Sequence, residues 1–439
     1  MVAGYLIKGA SIVTMDDAIG DLNRGDILVR GDRIVNVAAS IDASDVEVID
    51  GTGMIALPGI IDAHNILWQT VLRGCLPDLW LNIYYTYVHP LRARFRPEDN
   101  YTATFVGAHE MLSYGTTTVL DYCHNIRTPE HADASVAALR DSGIRHVFAY
   151  AFLGHRPDGF TSLDKRMDDA ERVFRAYHDP ASLTTVQFGI ETPGAPDVAR
   201  EISFARGLGA LSSIHIMQSG QITELQKQGL LGPDIPAIHA NYITNDELEM
   251  MAEVGMPICF TPSADVQGAP ADVVRRAMTR GVDVVFGCDL PCHVASDPIG
   301  QLRIMYNIQG YMDGAIERTF GVVSGKRPIP RPGLPLLRPR DLIRIATITA
   351  ARVLGLSEFI GSLTPGKKAD IVLIRKGIFG DSVDDDHCAH VLLQTSPREI
   401  DTVMVDGRIR LRGGLSRDFD PTRAGEMIAT SRAHIFAGS

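Results

Sequence analysis

The sequence predicts an α/β protein: a (β/α)8 TIM barrel carrying a small β-sandwich assembled from both chain ends. Two observations predict it. Apolar, β-branched runs alternate with helical segments through the middle of the chain, and short strand-and-turn segments of one style begin and end it. At 439 residues the chain is long enough for a large barrel and a satellite domain. Strand-like runs fall at 55–64, 116–122, 146–152, 184–190, 210–217, 235–240, 257–261 and 282–289. Helical segments lie between them, for example at 97–114, 131–142 and 246–254. Eight strands with intervening helices fit a barrel; an open doubly wound sheet is the rival arrangement. In the terminal segments, strands are read at 5–15, 25–29, 33–38 and 369–374, with a hairpin over 401–412 turning at Asp406-Gly407. Neither end alone has enough strands to bury a core. The expected division is therefore 1–56 with 366–420 as the sandwich, 57–365 as the barrel and 421–439 as a C-terminal tail.

Composition narrows the function. A formal charge of -11, with no basic run, argues against nucleic acid as a partner. The longest apolar stretches, such as 54–61, are too short to cross a bilayer. Near the start, Ile7-Lys8-Gly9 and Asp16-Asp17 interrupt any signal-peptide core, so a cytoplasmic location is expected. The six cysteines are scattered without paired CxxC motifs, which suits reduced, buried thiols.

A barrel places its chemistry where strands end, at the C-terminal face. Polar residues there are Asp62, His64 and Asn65 on strand 1, and Asp121, His124 and Asn125 on strand 2. Glu191 closes strand 4, His215 and Gln218 strand 5, His239 and Asn241 strand 6, and Asp289 strand 8, with His293 four residues on. A lone histidine near a strand end is usually structural. Four facing one mouth, joined by a carboxylate on strand 8, suggest a site instead.

Several motifs point one way. Leu57-Pro58-Gly59-Ile60-Ile61-Asp62-Ala63-His64 resembles the strand-1 signature of the amidohydrolase superfamily. Trp68-Gln69-Thr70-Val71-Leu72-Arg73-Gly74, Gly115-Thr116-Thr117-Thr118 and Gly287-Cys288-Asp289 resemble its cytosine deaminase, chlorohydrolase and S-adenosylhomocysteine deaminase branch. So does the stretch from Gly361 to Asp370 that returns to the sandwich. The resemblance implies a divalent metal held by histidines on strands 1 and 5 and an aspartate on strand 8, here His64, His215 and Asp289. It implies His239 beside the metal-bound water or substrate, and a homodimer. Strand 4 ends Gly189-Ile190-Glu191, without the lysine that bridges two metals, so at most one ion is expected.

Two positions depart from the pattern. Ile66 stands where a second strand-1 histidine belongs, and Gln218 where a proton-shuttling glutamate belongs. Isoleucine binds no metal, and a neutral amide takes no proton from water. His64, His215 and Asp289 still form a workable set for one zinc or ferrous ion. Three readings stay open: metal-assisted hydrolysis or deamination of a small cyclic nitrogen-containing metabolite, favoured slightly; metal-free elimination, isomerisation or cyclisation; and a pseudoenzyme that only binds a small molecule. His239, Asp289 and His215 are the expected catalytic groups. Asn65, Trp68, Gln69, Asp121, His124, Gln218 and His293 are the expected substrate contacts. Tyr84, Tyr85 and Tyr87, within 79–90, form an aromatic cluster suited to core packing, to a lid or to a subunit interface. His131, His178, His387 and His434 are read as surface residues.

Overall fold

The computed structural model describes residues 4–75, 81–152, 159–267, 272–324, 337–379 and 386–437. Eight parallel strands lie side by side in chain order: Ile60–Asn65, Thr116–Cys123, Arg145–Ala151, Thr184–Ile190, Ser212–Ile216, Ala237–His239, Ile258–Phe260 and Val284–Phe286. They are called barrel strands 1 to 8 below. The ring closes between its first and last members. Asp289 N donates to His64 O (3.0 Å) and Ile66 N to Asp289 O (2.9 Å), and Asn65 pairs in parallel with Asp289. This closure excludes the open doubly wound sheet.

Strand alternation divides the apolar residues between two cores. On barrel strand 3, Phe148 and Tyr150 join the larger cluster shared with the surrounding helices. Val147, Ala149 and Ala151 join a second cluster with Ile61, Leu120, Ile238 and Val285 from other strands. The helix Pro97–Ser113 shows why the helices begin where they do. Pro97 occupies the first turn, and the Asp99 carboxylate accepts the Arg96 N–H at 2.9 Å.

The chain ends build one mixed sheet of nine strands. They meet at Met54–Pro58, which pairs in parallel with Gly4–Ile12 and antiparallel with Ile371–Arg375. An Arg33–Lys368 bridge ties the outer N-terminal strand to the segment entering Ile371–Arg375, so the sheet curls over its own apolar face. The run 55–64, read as one strand, is in fact two. It breaks at Gly59, where a Cβ would sit 1.9 Å from Thr117 Oγ1, so only glycine allows this approach. The residues before the break belong to the sheet and those after it to the barrel.

A buried ion cluster joins the two units. Arg145, 1% exposed at the start of barrel strand 3, donates to Asp370 (2.8 and 3.1 Å), Asp406 (3.1 Å) and the Ser182 carbonyl (2.7 Å).

Two expectations need correction. The 421–439 tail contains a helix, Pro421–Ile435, capped by the Asp420 carboxylate. Its Arg432 Nε donates to Val71 O at 2.7 Å, and Ile435 is fully buried with Trp68 and Phe95. Among the histidines read as surface residues, His131 and His387 are buried. His131 sits in the core because its ring is matched on both sides, to Thr128 Oγ1 (3.0 Å) and Phe95 O (3.1 Å). His178 is half-buried and His434 exposed. No described helix is long and apolar enough to cross a membrane.

Candidate active site

The site grows from the closure of the ring. Asp62, fully buried, accepts His64 N (3.1 Å), Asn65 Nδ2 (3.0 Å) and Cys288 N (3.3 Å). It therefore pins the end of barrel strand 1 to the end of barrel strand 8. Burial pushes its carboxyl up to about 6, against those hydrogen bonds. Gly287 is needed here, because a Cβ would lie 2.4 Å from His64 O. With both in place, Asp289 Oδ1 stands 3.3 Å from His64 Nε2.

Three imidazoles and one phenol gather at this point. The His64 ring centre is 5.2 Å from that of His215 and 6.3 Å from that of His239, and the latter two are 5.3 Å apart. Tyr122 packs on His215 at 4.8 Å and on His64 at 5.1 Å. Of the five non-glycine residues with positive φ among the described residues, three lie here: His239 (68°), Ala240 (55°) and Asp289 (68°). Such backbone costs of order 1–3 kcal/mol per residue and persists only where the surroundings enforce it.

His239 is held by the segment that follows barrel strand 7, Thr261 and the short helix Pro262–Asp265. Its Nδ1–H donates to Asp265 Oδ1 (2.9 Å) beside Thr261 Oγ1 (3.0 Å). Asp265 also accepts Asn241 Nδ2 (2.7 Å) and Thr261 N (2.7 Å). Burial draws the His239 imidazolium down, but the Asp265 carboxylate outweighs it and pushes the group up to about 9. In metal-free protein this pair stabilises the fold fully below about pH 6.5, the ordinary histidine value, and the contribution is lost as pH rises through about 9. Asp265→Asn in chelator-treated protein should therefore move the His239 titration down by at least one pH unit (order of magnitude). Imidazole NMR reads this directly; an unmoved titration would show that Asp265 does not set it. The signal for Asp265 was present in the sequence, as the polar end of Thr261-Pro262-Ser263-Ala264-Asp265.

The expected substrate contacts divide. Trp68 and Gln69 are buried in a 3-10 turn over Leu67–Leu72, and Trp68 Nε1 donates to His124 Nδ1 at 3.2 Å. Asp121 lies beneath this turn, accepting Leu67 N at 3.0 Å, and burial pushes its carboxyl up to about 7. Asn65 Oδ1 is buried without a partner. Gln218 is exposed, on the segment after barrel strand 5. His293 is exposed too, lining a cavity of about 460 Å³ with Ser263, Gln267, Asp297 and Gln301. These two are not brought into the buried cluster. Of the aromatic segment 79–90, residues 79 and 80 lie outside the described residues; Tyr84 is buried, whereas Tyr85 and Tyr87 are exposed.

Two imidazoles and a carboxylate suit one zinc or ferrous ion. Both ring nitrogens of His64 are buried without a hydrogen bond, a state that costs about 1–3 kcal/mol unless a ligand engages one. Burial and the neighbouring imidazoles hold the His215 imidazolium well below the usual range, so its ring is neutral and able to donate a lone pair. Ile66 fills its position with apolar packing beside Ala63, Trp68 and Tyr122. Among the described residues no group of three or more His, Cys, Asp or Glu side chains is placed to hold a metal ion; around His64 stand Asp289 Oδ1, 3.3 Å from Nε2, and the His215 ring, 5.2 Å between centres.

Comparison with known proteins places this geometry among relatives. The amidohydrolase family model matches residues 55–410. A 5-methylthioadenosine/S-adenosylhomocysteine deaminase of Symbiobacterium thermophilum is 29% identical over 92% of each chain. A 5'-deoxyadenosine deaminase of Methanothermobacter thermautotrophicus is 26% identical over 93% of each. An adenosine deaminase from Xanthomonas campestris with bound zinc superposes with a TM-score of 0.85 at 20% identity, covering 99% of this chain and 98% of that one. An atrazine chlorohydrolase from Arthrobacter aurescens TC1 complexed with zinc gives 0.79 at 23% identity, covering 98% and 100%.

Proposed function

Because this chain belongs to the amidohydrolase family, we propose that it is a metal-assisted hydrolase that deaminates an aminopurine nucleoside with an apolar 5' end. The observation that carries the reading is the convergence of His64, His215, His239 and Asp289 at the closure of the ring, with both His64 ring nitrogens buried and without a hydrogen bond. The deaminases of methylthioadenosine and 5'-deoxyadenosine among its relatives support the substrate class. Ile66, which puts a branched hydrocarbon where a ligating histidine belongs, supports a specialised site instead of a general aminohydrolase.

His64, His215 and Asp289 would hold one divalent ion, which supplies water acidified toward neutral pH. Asp289 accepts the proton of the attacking water at Oδ and returns it to the departing nitrogen. His239, fixed at Nδ1 by Asp265, presents Nε2–H to the charge that develops on the ring. Water adds, ammonia leaves, and the aminopurine becomes an oxopurine. Gln218, exposed and neutral, takes no part in proton transfer.

The test is ammonia release from 5'-deoxyadenosine, methylthioadenosine and adenosine by purified protein with added zinc or ferrous iron. Release from the first two, at several times the rate from adenosine, is expected. Equal, efficient turnover across a wide range of purine and pyrimidine amines would contradict the specialised site. The second reading, metal-free elimination, isomerisation or cyclisation, is favoured by Ile66 and by an imidazolium at His239, and full activity in chelator would select it. The same proposal includes a cytoplasmic homodimer with 79–90 near the interface. Light scattering giving one 47.8 kDa mass at micromolar concentration would exclude the dimer.

A further inference from the structure

One buried network near the site has a donor left over. Trp68 Nε1–H has only a proton to give, and it points at His124 Nδ1 (3.2 Å). Nδ1 therefore accepts, and the proton of neutral His124 sits on Nε2. Burial and the nearby Arg92 hold this imidazole neutral. Nε2 lies 3.3 Å from the Tyr84 hydroxyl, so Tyr84 receives that proton's hydrogen bond and cannot donate back.

The second partner of Tyr84 has the same polarity. Cys292 Sγ is 3.0 Å from Gln69 Oε1, and its thiol, pushed up to about 12 chiefly by burial, keeps a proton to donate there. That orients the amide, leaving Gln69 Nε2–H to donate to Tyr84 Oη at 2.6 Å. The phenol oxygen thus accepts two hydrogen bonds, and its own O–H is committed to neither neighbour. A buried hydroxyl with an unspent donor is costly unless a ligand takes it. Tyr84 is 5% exposed, and its partner His124 lies 6.1 Å between ring centres from Tyr122, the phenol that packs on His64 and His215.

We propose that Tyr84 is a substrate-binding residue whose O–H donates to a ring nitrogen of the substrate, with His124, Trp68, Gln69 and Cys292 as the frame that turns this proton outward. The inference rests on the proposed purine-type substrate and adds the contact that would read its ring. His124 and Gln69 then act as positioning residues, not as substrate contacts.

The probe is purine itself, which has ring nitrogens but no amino group to lose, with binding measured by calorimetry. Tyr84→Phe should weaken purine about tenfold or more, whereas Tyr85→Phe, on the exposed neighbour, should leave it unchanged. Nitrogen NMR of wild-type protein should show His124 as the Nε2–H tautomer. Equal purine affinity in Tyr84→Phe, no purine binding by the wild type, or an Nδ1–H tautomer at His124 would each overturn the proposal. Ammonia release from 5'-deoxyadenosine is read in parallel, and its failure alone counts only against the deaminase reading.

Discussion

Asp289→Asn is expected to lower kcat by about 10³-fold or more, with His239→Ala close behind. Asp289 is the only carboxylate found beside the His64 ring, at 3.3 Å among the described residues. Its strained backbone, φ 68°, is held there by hydrogen bonds to His64 on barrel strand 1 and to Ile66 just after it. The amide that replaces it keeps the shape and loses both the proton affinity and the negative charge. His239→Ala removes the only imidazole that Asp265 orients, so the developing charge on the substrate has no fixed donor. Gln218→Glu serves as the contrast: at an exposed position outside the cluster, a new carboxylate should not raise turnover. Steady-state kinetics on 5'-deoxyadenosine decide the matter. Turnover within tenfold of wild type for Asp289→Asn would remove it from the mechanism (order of magnitude).

The second large effect is on stability. Arg145→Ala should cost about 3–5 kcal/mol, because it leaves Asp370 buried without its counter-charge. Asp370 Oδ1 would retain only the Asp406 N–H at 2.8 Å, and the barrel would lose a buried ionic tie to the sheet, leaving more exposed ties such as the Arg344–Asp17 pair. Arg30→Ala is the comparison. The Arg30–Asp45 pair has side chains 39% and 59% exposed, and exposed pairs contribute about 0–1 kcal/mol. Urea denaturation should show a marked fall in midpoint for the first variant and almost none for the second. Similar midpoints would mean that the Arg145 cluster contributes no more than a surface pair.

Much of this architecture was legible because it is written in local patterns. Both faces of a barrel strand are buried, so Thr116–Cys123 and Thr184–Ile190 read as mostly β-branched and apolar runs, interrupted by Asp121 and Gln187. The hairpin at Asp406-Gly407 was visible because both residues adopt positive φ, which that pair of residue types favours. What could not be read depends on distance along the chain. Arg145 meets Asp370 across 225 positions, and no local pattern announces the pairing. The break at Gly59 depends on the Thr117 side chain approaching from the next barrel strand. At the site, strand ends placed His64, His215, His239 and Asp289 among a longer set of polar residues, and the family resemblance singled them out. Asp265 was missed because a four-residue helix, Pro262–Asp265, carries it back over the barrel strand to His239. Tyr84 resembled its neighbours Tyr85 and Tyr87 in sequence and differs from them only in what surrounds it.

The account turns on whether the altered ligand set still holds an ion, and metal analysis of protein purified without chelator tests this most directly. The predicted result is about one zinc or iron per chain, lost on dialysis against a chelator together with ammonia release, and retained more tightly in Ile66→His. Metal-free protein that turns over 5'-deoxyadenosine at an undiminished rate in chelator would contradict it.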